Sequence, residues 1–542
     1  MIAAVNVSLR FGKRILFEDV NVRFTAGNCY GVIGANGAGK STFLKILSGE
    51  IDPTTGRVEI DKGARMSVLK QNHYEFDEMP VLETVLMGHT ELYSIMKEKE
   101  AIYAKTEFTD ADGERVGELE AQFAEMNGWD AESDAAALLS NLGINESTHY
   151  KLLKELDGNQ KVRVLLAQAL FNSPDILLLD EPTNDLDVET IGWLEDFLAQ
   201  YDKCVLVVSH DRHFLDSVCT HVADIDFSKI QIYSGNYTFW YESSQLAARQ
   251  QSDQRKKAEE RVKELQEFIR RFAANVSKSR QATARKKALD KIDLSEIKPS
   301  NRKYPGLVFN QMLREAGDQV LEVSRLTKKM GDEVLFENVD FTVNQGDKIA
   351  LISKNSLATT AFYSIVNGDD TDFTGEYRFG QTITKAYMPI ENHHYFNSNL
   401  NLIDWLRQYS TDKDETYVRG FLGRMLFSGE ESLKQCNVLS GGEKMRCMFS
   451  RMMLQNANFL MFDEPTNHLD LESITALNNG MKEYRSMMIF TCRDHELTET
   501  VANRIIELTP SGHIDRMMTF DEYITDPRIK EMRQDMYKSL TV

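Results

Sequence analysis

The chain repeats itself, and that repeat limits its fold more than any other feature. LLLDEPTNDLD begins at Leu177 and LMFDEPTNHLD at Leu460, so Glu181 and Glu464 pair at an offset of 283. Leu156 of LDGNQKVRVLLAQAL pairs with Leu439 of LSGGEKMRCMFSRMM at the same offset. Earlier in each copy, ILFEDVNVRFTAGNCYGVIGANGAGKSTFLKIL matches VLFENVDFTVNQGDKIALISKNSLATTAFYSIV, with Gly34 opposite Ser353 at an offset of 319. The chain is a tandem duplication whose first copy holds about 34 extra residues between Gln71 and Leu156. YGVIG and DILLLD are short apolar runs, as expected of strands buried on both faces of a parallel sheet. A helical stretch follows each, so the expected class is α/β.

Composition removes several alternatives. The six cysteines, Cys29, Cys204, Cys219, Cys436, Cys447 and Cys492, contain no C-x-x-C pair. That argues against zinc ribbons, iron–sulfur domains and disulfide scaffolds, and it fits a reducing compartment. No apolar run approaches the roughly 18 residues needed to span a bilayer, and the N-terminus lacks a signal layout. A cytoplasmic protein with no membrane segment is expected. The net charge of −20 argues against non-specific coating of nucleic acid, but it conceals a segregated segment. Arg255 to Lys291 carries thirteen Lys/Arg and five Asp/Glu, a net of +8.

GANGAGKST, Gly34 to Thr42, fits G-x-x-x-x-G-K-[ST] between an apolar strand and a helical pattern. Backbone amides of Gly34, Asn36, Gly37, Ala38 and Gly39 would turn inward around phosphate at a helix N-terminus. Lys40 would reach the β/γ phosphates, and Ser41, followed by Thr42, would supply a hydroxyl to Mg²⁺. Asp180 ends an apolar strand and suits Mg²⁺. Glu181 is the candidate to orient the attacking water. Phe11 is a candidate to stack on adenine.

L-S-G-G-E, Leu439 to Glu443, lies about twenty residues before a strand ending in an acidic pair. Together with the P-loop it resembles the signature of ATP-binding cassette (ABC) ATPases. Two cassettes joined by a basic helical linker resemble the ABC-F subfamily, most nearly its YbiT-like branch. The resemblance implies two tandem P-loop ATPase domains, at 1–240 and 316–542, joined by a basic α-helical hairpin over 241–305. It implies ATP and Mg²⁺ as ligands, an ATP hydrolase activity, Gln71 as a further Mg²⁺ residue and His210 as γ-phosphate sensor. It also implies binding at the ribosomal exit site, with the linker reaching P-site tRNA and rRNA.

The linker supports this independently. Val262, Leu265, Ile269, Phe272 and Val276 step by 3 and 4, a heptad-like helical seam. Arg270, Arg271, Lys278, Arg280, Arg285, Lys286 and Lys287 are the candidate RNA contacts. In the insertion, Leu92, Ile95 and Ile102, then Val116, Leu119, Phe123 and Met126, have helical spacing. They read as an arm over about 88–130, whose residues 91–126 are net −6. By resemblance that arm would meet a ribosomal protein.

The second copy departs from the pattern at specific places. Its loop reads SKNSLATTAF, with Ala358 opposite Gly39, Thr359 opposite Lys40 and Thr360 opposite Ser41. Met388 stands opposite Gln71 and Arg493 opposite His210, while Asp463 and Glu464 remain. In the first copy it is the signature that changes: Asp157 replaces Ser440, and Asn159 replaces Gly442. By resemblance, the two cassettes of one monomeric chain close head to tail, each P-loop facing the other signature. One composite site would then keep every part, including Ser440, Gly441, Gly442 and Glu443. The other would collect every loss. Asp157 beside a γ-phosphate would cost on the order of several kcal/mol. Losing the phosphate lysine would remove about 1.5–3 kcal/mol. The alternatives are an ATPase subunit serving a separately encoded membrane transporter, or a ribosome-protection protein of the same subfamily that confers antibiotic resistance. The net +8 of the linker argues against the transporter subunit.

Overall fold

The computed structural model describes residues 1–12, 14–69, 75–106, 108–184, 186, 188–272, 302–309, 317, 319–331 and 333–537. Its contacts divide the chain into two compact units. The first comprises Met1–Ser209 with Phe214–Arg302, and the second His210–His213 with Lys303–Val542.

In the first unit the strands are β1 (Ile2–Phe11), β2 (Arg14–Phe24), β3 (Asn28–Gly34), β4 (Thr55–Ile60), β5 (Met66–Val68), β6 (Ile176–Asp180), β7 (Cys204–Val208), β8 (His221–Asp226) and β9 (Lys229–Ser234). Six form one sheet in the order β5-β6-β7-β3-β8-β9, parallel except for the β8–β9 pair. A separate antiparallel sheet runs β2-β1-β4. Ile176, Leu177, Leu178 and Leu179 of β6 are fully buried, which is why this strand reads as a continuous apolar run rather than an alternation. Strand β3 lies between β7 and β8, so its C-terminal end opens where successive connections diverge, the usual place for a ligand crevice.

The second unit repeats this plan with β10 (Gln319–Met330), β11 (Glu333–Asn344), β12 (Lys348–Ile352), β13 (Thr374–Phe379), β14 (Lys385–Met388), β15 (Phe459–Asp463), β16 (Met487–Thr491), β17 (Arg504–Thr509) and β18 (Gly512–Arg516). Its sheets run β14-β15-β16-β12-β17-β18 and β11-β10-β13, the same order strand for strand. The repeat seen in the sequence is therefore a repeat of topology.

The insertion forms two helices, Thr90–Tyr103 and Asp110–Glu125. Leu92, Ile95, Ile102, Val116, Leu119 and Phe123 are buried along them, as their spacing requires. A capping box between Thr109 and Asp112 fixes the start of the second helix. Arg115 pairs with Glu98 across the two helices. The linker begins as one helix, Tyr237–Phe272, in which Leu265 is buried. Val276, the last position of its heptad seam, and the side chain of Phe272 lie outside the described residues.

Both described ends of the linker region are anchored. The guanidinium of Arg302 lies 4.4 Å over the Trp240 ring and bonds to Asp224 on β8. Beyond it, Leu307 and Phe309 enter the core of the second unit. The Phe309 ring meets Phe462 edge-on at 5.6 Å, directly before the acidic pair Asp463–Glu464. The contact boundary between units thus falls at Arg302/Lys303, because this strap packs on the second core.

Candidate nucleotide sites

In the first unit the loop from Ala35 to Gly39 carries the chain from β3 into the helix Lys40–Leu47. Gly39 is the N-cap, with φ +103, and a Cβ there would lie 2.8 Å from both Leu16 and Phe17. Only glycine fits, because the left-handed backbone and the close β2 side chains act together. Lys40 is buried, and its ammonium donates to the Gly34 carbonyl at 2.9 Å, across the mouth of the loop. Ser41 hydrogen-bonds to the Asp180 carboxylate at the end of β6. Burial raises the Asp180 carboxyl above its ordinary range, against the lowering effect of Ser41 and Lys40. A hydroxyl bonded to a carboxylate is the hard-oxygen pair that Mg²⁺ takes when phosphates complete its shell, so these residues fit the ion. Glu181 follows in a left-handed conformation, φ +53, its amide bonded to the Val208 carbonyl. Phe11 ends β1 with its ring exposed. His210 lies two residues beyond β7, where the division between units falls. Gln71 lies outside the described residues.

The second unit places the equivalent residues in the same order but builds a different loop. Its helix runs Ser356–Asn367, so it starts three residues before the position opposite Lys40. The stretch that is a phosphate-type loop in one copy is a helical turn in the other. Three of the amides that would face an anion, those of Asn355, Leu357 and Ala358, are bonded inside the chain. Asn355 is the N-cap and its side chain accepts from Leu357 N at 3.0 Å, while Ala358 N donates to the Asn355 carbonyl. Asn355 N donates to Ser353 Oγ, and Lys354 N donates to the Tyr537 hydroxyl at 3.0 Å. Tyr537 is held in turn by buried Glu507 and the Leu508 carbonyl. Thr359 is buried, with its hydroxyl turned back to the Ser356 carbonyl.

Thr360 Oγ1 donates to Asp463 Oδ2 at 2.9 Å, so the hydroxyl–carboxylate pair survives. Glu464 keeps the left-handed turn, φ +51, but is buried, with Arg493 Nε 3.7 Å from its carboxylate. Burial pushes the Asp463 carboxyl up to about 6 and the Glu464 carboxyl up to about 7, in the latter case against Arg493. Met388, at the end of β14, is fully buried.

The two signatures both cap helices. Ser440 caps Gly441–Gln455 in a capping box with Glu443, and Lys434 pairs with Glu443 at 2.9 Å. Gly442 is required by proximity, since a Cβ there would lie 2.8 Å from the His468 carbonyl. In the first unit Asp157 caps Gly158–Leu170, accepting from Gln160 N at 2.8 Å, and Gln160 reciprocates. Asp157 therefore has a structural job, because an aspartate caps as well as serine.

Three participants are invisible in the motifs: Arg14, Glu333 and Tyr537. Arg14 Nη2 donates to the Gly37 carbonyl at 2.6 Å. Glu333, opposite it in the second copy, accepts from Asn355 Nδ2 at 3.0 Å. The repeat register holds the signal for the first two, since FGKR at Phe11–Arg14 stands opposite MGDE at Met330–Glu333. Of the RNA candidates, Arg270 is exposed on the linker helix. The Arg271 side chain and Lys278, Arg280, Arg285, Lys286 and Lys287 lie outside the described residues.

The comparisons with known proteins agree with this geometry. A family model described as "ABC transporter" matches residues 17–184 and 336–467, and a second with the same description matches 223–309. The chain belongs to the ABC-F group of ATP-binding cassette ATPases. It is 58% identical to the uncharacterized ABC transporter ATP-binding protein YkpA of Bacillus subtilis, over 99% of this chain and all of that one. It is 42% identical to the probable ATP-binding protein YbiT of Escherichia coli O157:H7, over 98% of this chain and all of that one. Among solved structures, an archaeal ribosome recycling factor, aABCE1, in complex with the ribosomal stalk protein aP1, aligns with a TM-score of 0.58 at 16% identity. That alignment covers 98% of this chain and 99% of the other, and shows the fold. This ABC-F chain is thus a tandem-cassette ATPase that binds and hydrolyses ATP. No helix among the described residues is long and apolar enough to cross a membrane.

Proposed function

We propose that this ATPase works on the ribosome and turns over ATP at a single site. The first P-loop, with Lys40, Ser41, Asp180, Glu181 and His210, joins the second signature, Ser440 to Glu443, around one nucleotide. Ser41, Asp180 and Gln71 would hold Mg²⁺, which supplies positive charge against the phosphates. Glu181 orients the attacking water, and His210 senses the γ-phosphate. The second loop serves as scaffold rather than as a second engine. One observation carries the asymmetry: the second loop is wound into a helical turn in which the Asn355, Leu357 and Ala358 amides are already bonded within the chain.

The ribosomal target is supported by family membership and by the net +8 segment in a chain of net −20. Electrostatic contact with RNA phosphates needs such a segment, and the linker carries it. In this reading the linker meets P-site tRNA and rRNA from the exit site in the cytoplasm. The acidic arm meets a basic ribosomal protein. ATP binds the closed arrangement better than the open one and so shifts the population toward it, and hydrolysis releases the chain.

The test is co-sedimentation of Glu181→Gln protein with ribosomes, with and without ATP and Mg²⁺. Retention on ribosomes only with ATP is the expected result. No association in either condition, from a chain whose wild type hydrolyses ATP, would remove the ribosome as its partner.

A further inference from the structure

We infer that Arg14 is a phosphate-gripping residue of the first nucleotide site, and that it fixes which of the two loops accepts a nucleoside di- or triphosphate. The inference rests on the one-site reading above and adds a residue that no motif marks.

Arg14 opens β2, yet its guanidinium lies on the loop at the end of β3. Nη2 donates to the Gly37 carbonyl at 2.6 Å, and Gly37 is one of the residues that would surround phosphate. The side chain is exposed rather than packed into the core, so burial of its stem does not account for its placement. A guanidinium carries five donors in a rigid fork, and the Gly37 bond employs one. A planar cation held at the lip of a phosphate loop is the group best shaped to take a phosphate oxygen at the same time.

The second copy supplies the control. At the same register the residue is Glu333, whose carboxylate accepts from Asn355 Nδ2 at 3.0 Å. Asn355 stands opposite Asn36, so both copies bring the first residue of this strand onto the loop, but with opposite charge. The neighbouring position inverts as well, from Lys13 to Asp332, and Phe11 is replaced by Met330. The copy whose loop is open carries Lys-Arg there, and the copy whose loop is sealed carries Asp-Glu. An acidic side chain beside a phosphate loop opposes any polyphosphate, whereas a basic one attracts it.

The experiment uses the full chain, with fluorescent MANT-ADP and MANT-ATP as probes in the presence of Mg²⁺. Dissociation constants are measured for wild type, Arg14→Lys, Arg14→Gln and Arg14→Glu, beside melting temperatures and the KM and kcat for ATP. Arg14→Gln removes the charge and, being shorter, the reach to the Gly37 carbonyl, while Arg14→Lys keeps the charge without the fork. The expected order of weakening is Lys, then Gln, then Glu. Gln should lose about tenfold to a hundredfold in affinity. The loss should appear in KM more than in kcat, with unchanged melting. Wild-type affinity in Arg14→Gln would overturn the proposal, and so would a loss of affinity that tracks a fall in melting temperature. Stoichiometry separates this from the one-site reading. Two nucleotides bound per wild-type chain would defeat that reading, while the order among the Arg14 variants would still decide the role of Arg14.

Discussion

Thr360 and Asp463 are hydrogen-bonded at 2.9 Å in the second unit, where Ser41 and Asp180 are bonded in the first. The metal-type pair is therefore common to both copies, and what separates them is the loop in front of it. Divergence has altered the phosphate cradle and left the strand ends that carry Asp463 and Glu464.

Those strand ends hold buried acids, and that has a pH signature. The Glu464 carboxyl is raised to about 7 and Asp463 to about 6, so the folded state holds protons that the unfolded state releases above its ordinary carboxylate range. Stability contributed there is present at pH 4–5 and falls as pH rises toward 7. Glu464→Gln should raise the melting temperature of the second unit at pH 8 and flatten its decline between pH 5 and 8. The gain should be on the order of 2 kcal/mol. Thermal melts at the two pH values check this, and a loss of stability at pH 8 would contradict it.

Gly39 and Ala358 occupy the same register but obey different constraints. Gly39→Ala places a Cβ 2.8 Å from Leu16 and Phe17 on a backbone at φ +103, so nucleotide binding should be lost and the first unit destabilised. Ala358→Gly falls in the first turn of a regular helix and should cost only about 1 kcal/mol, with ATP turnover unchanged. Melts and turnover of the two variants test the pair.

How much of this was legible beforehand differs from element to element. Runs such as ILLLD and YGVIG announced buried parallel strands because both of their faces are covered. The spacing of Leu92, Ile95 and Ile102 announced the arm helix for the same reason, since burial acts on single residues at a fixed period. The loss of Gly39 and Lys40 in the second copy could be read directly. That Asn355 would cap a helix started three residues early could not, because a cap depends on backbone that other residues place. Asp157 shows the opposite limit. Its charge could be read directly, while its part in a capping box, the same one that Ser440 makes, is set by the helix it begins. Arg14 meets Gly37 only because the fold brings the start of β2 to the loop that follows β3, a tertiary fact without a local motif.

The strap into the second core supplies a stability prediction. Phe309 is buried against Phe462 and Tyr484, so Phe309→Ala should destabilise the second unit by about 3–5 kcal/mol. Denaturant unfolding of the full chain should show the loss confined to that unit.

Neutralising Arg285, Lys286 and Lys287 together tests the linker as an RNA contact. Ribosome affinity should fall, and the slope of its logarithm against log salt should decrease by about 2–3. ATP turnover without ribosomes should stay the same. Unchanged ribosome binding across salt would remove these residues from the interface.

The most direct measurement is steady-state ATP turnover by Glu181→Gln and Glu464→Gln in the full chain. Glu181→Gln should lose about a hundredfold or more, the usual scale for removing a group that activates the nucleophile. Glu464→Gln should keep the wild-type rate. Equal losses from the two substitutions would show two working sites and contradict the account.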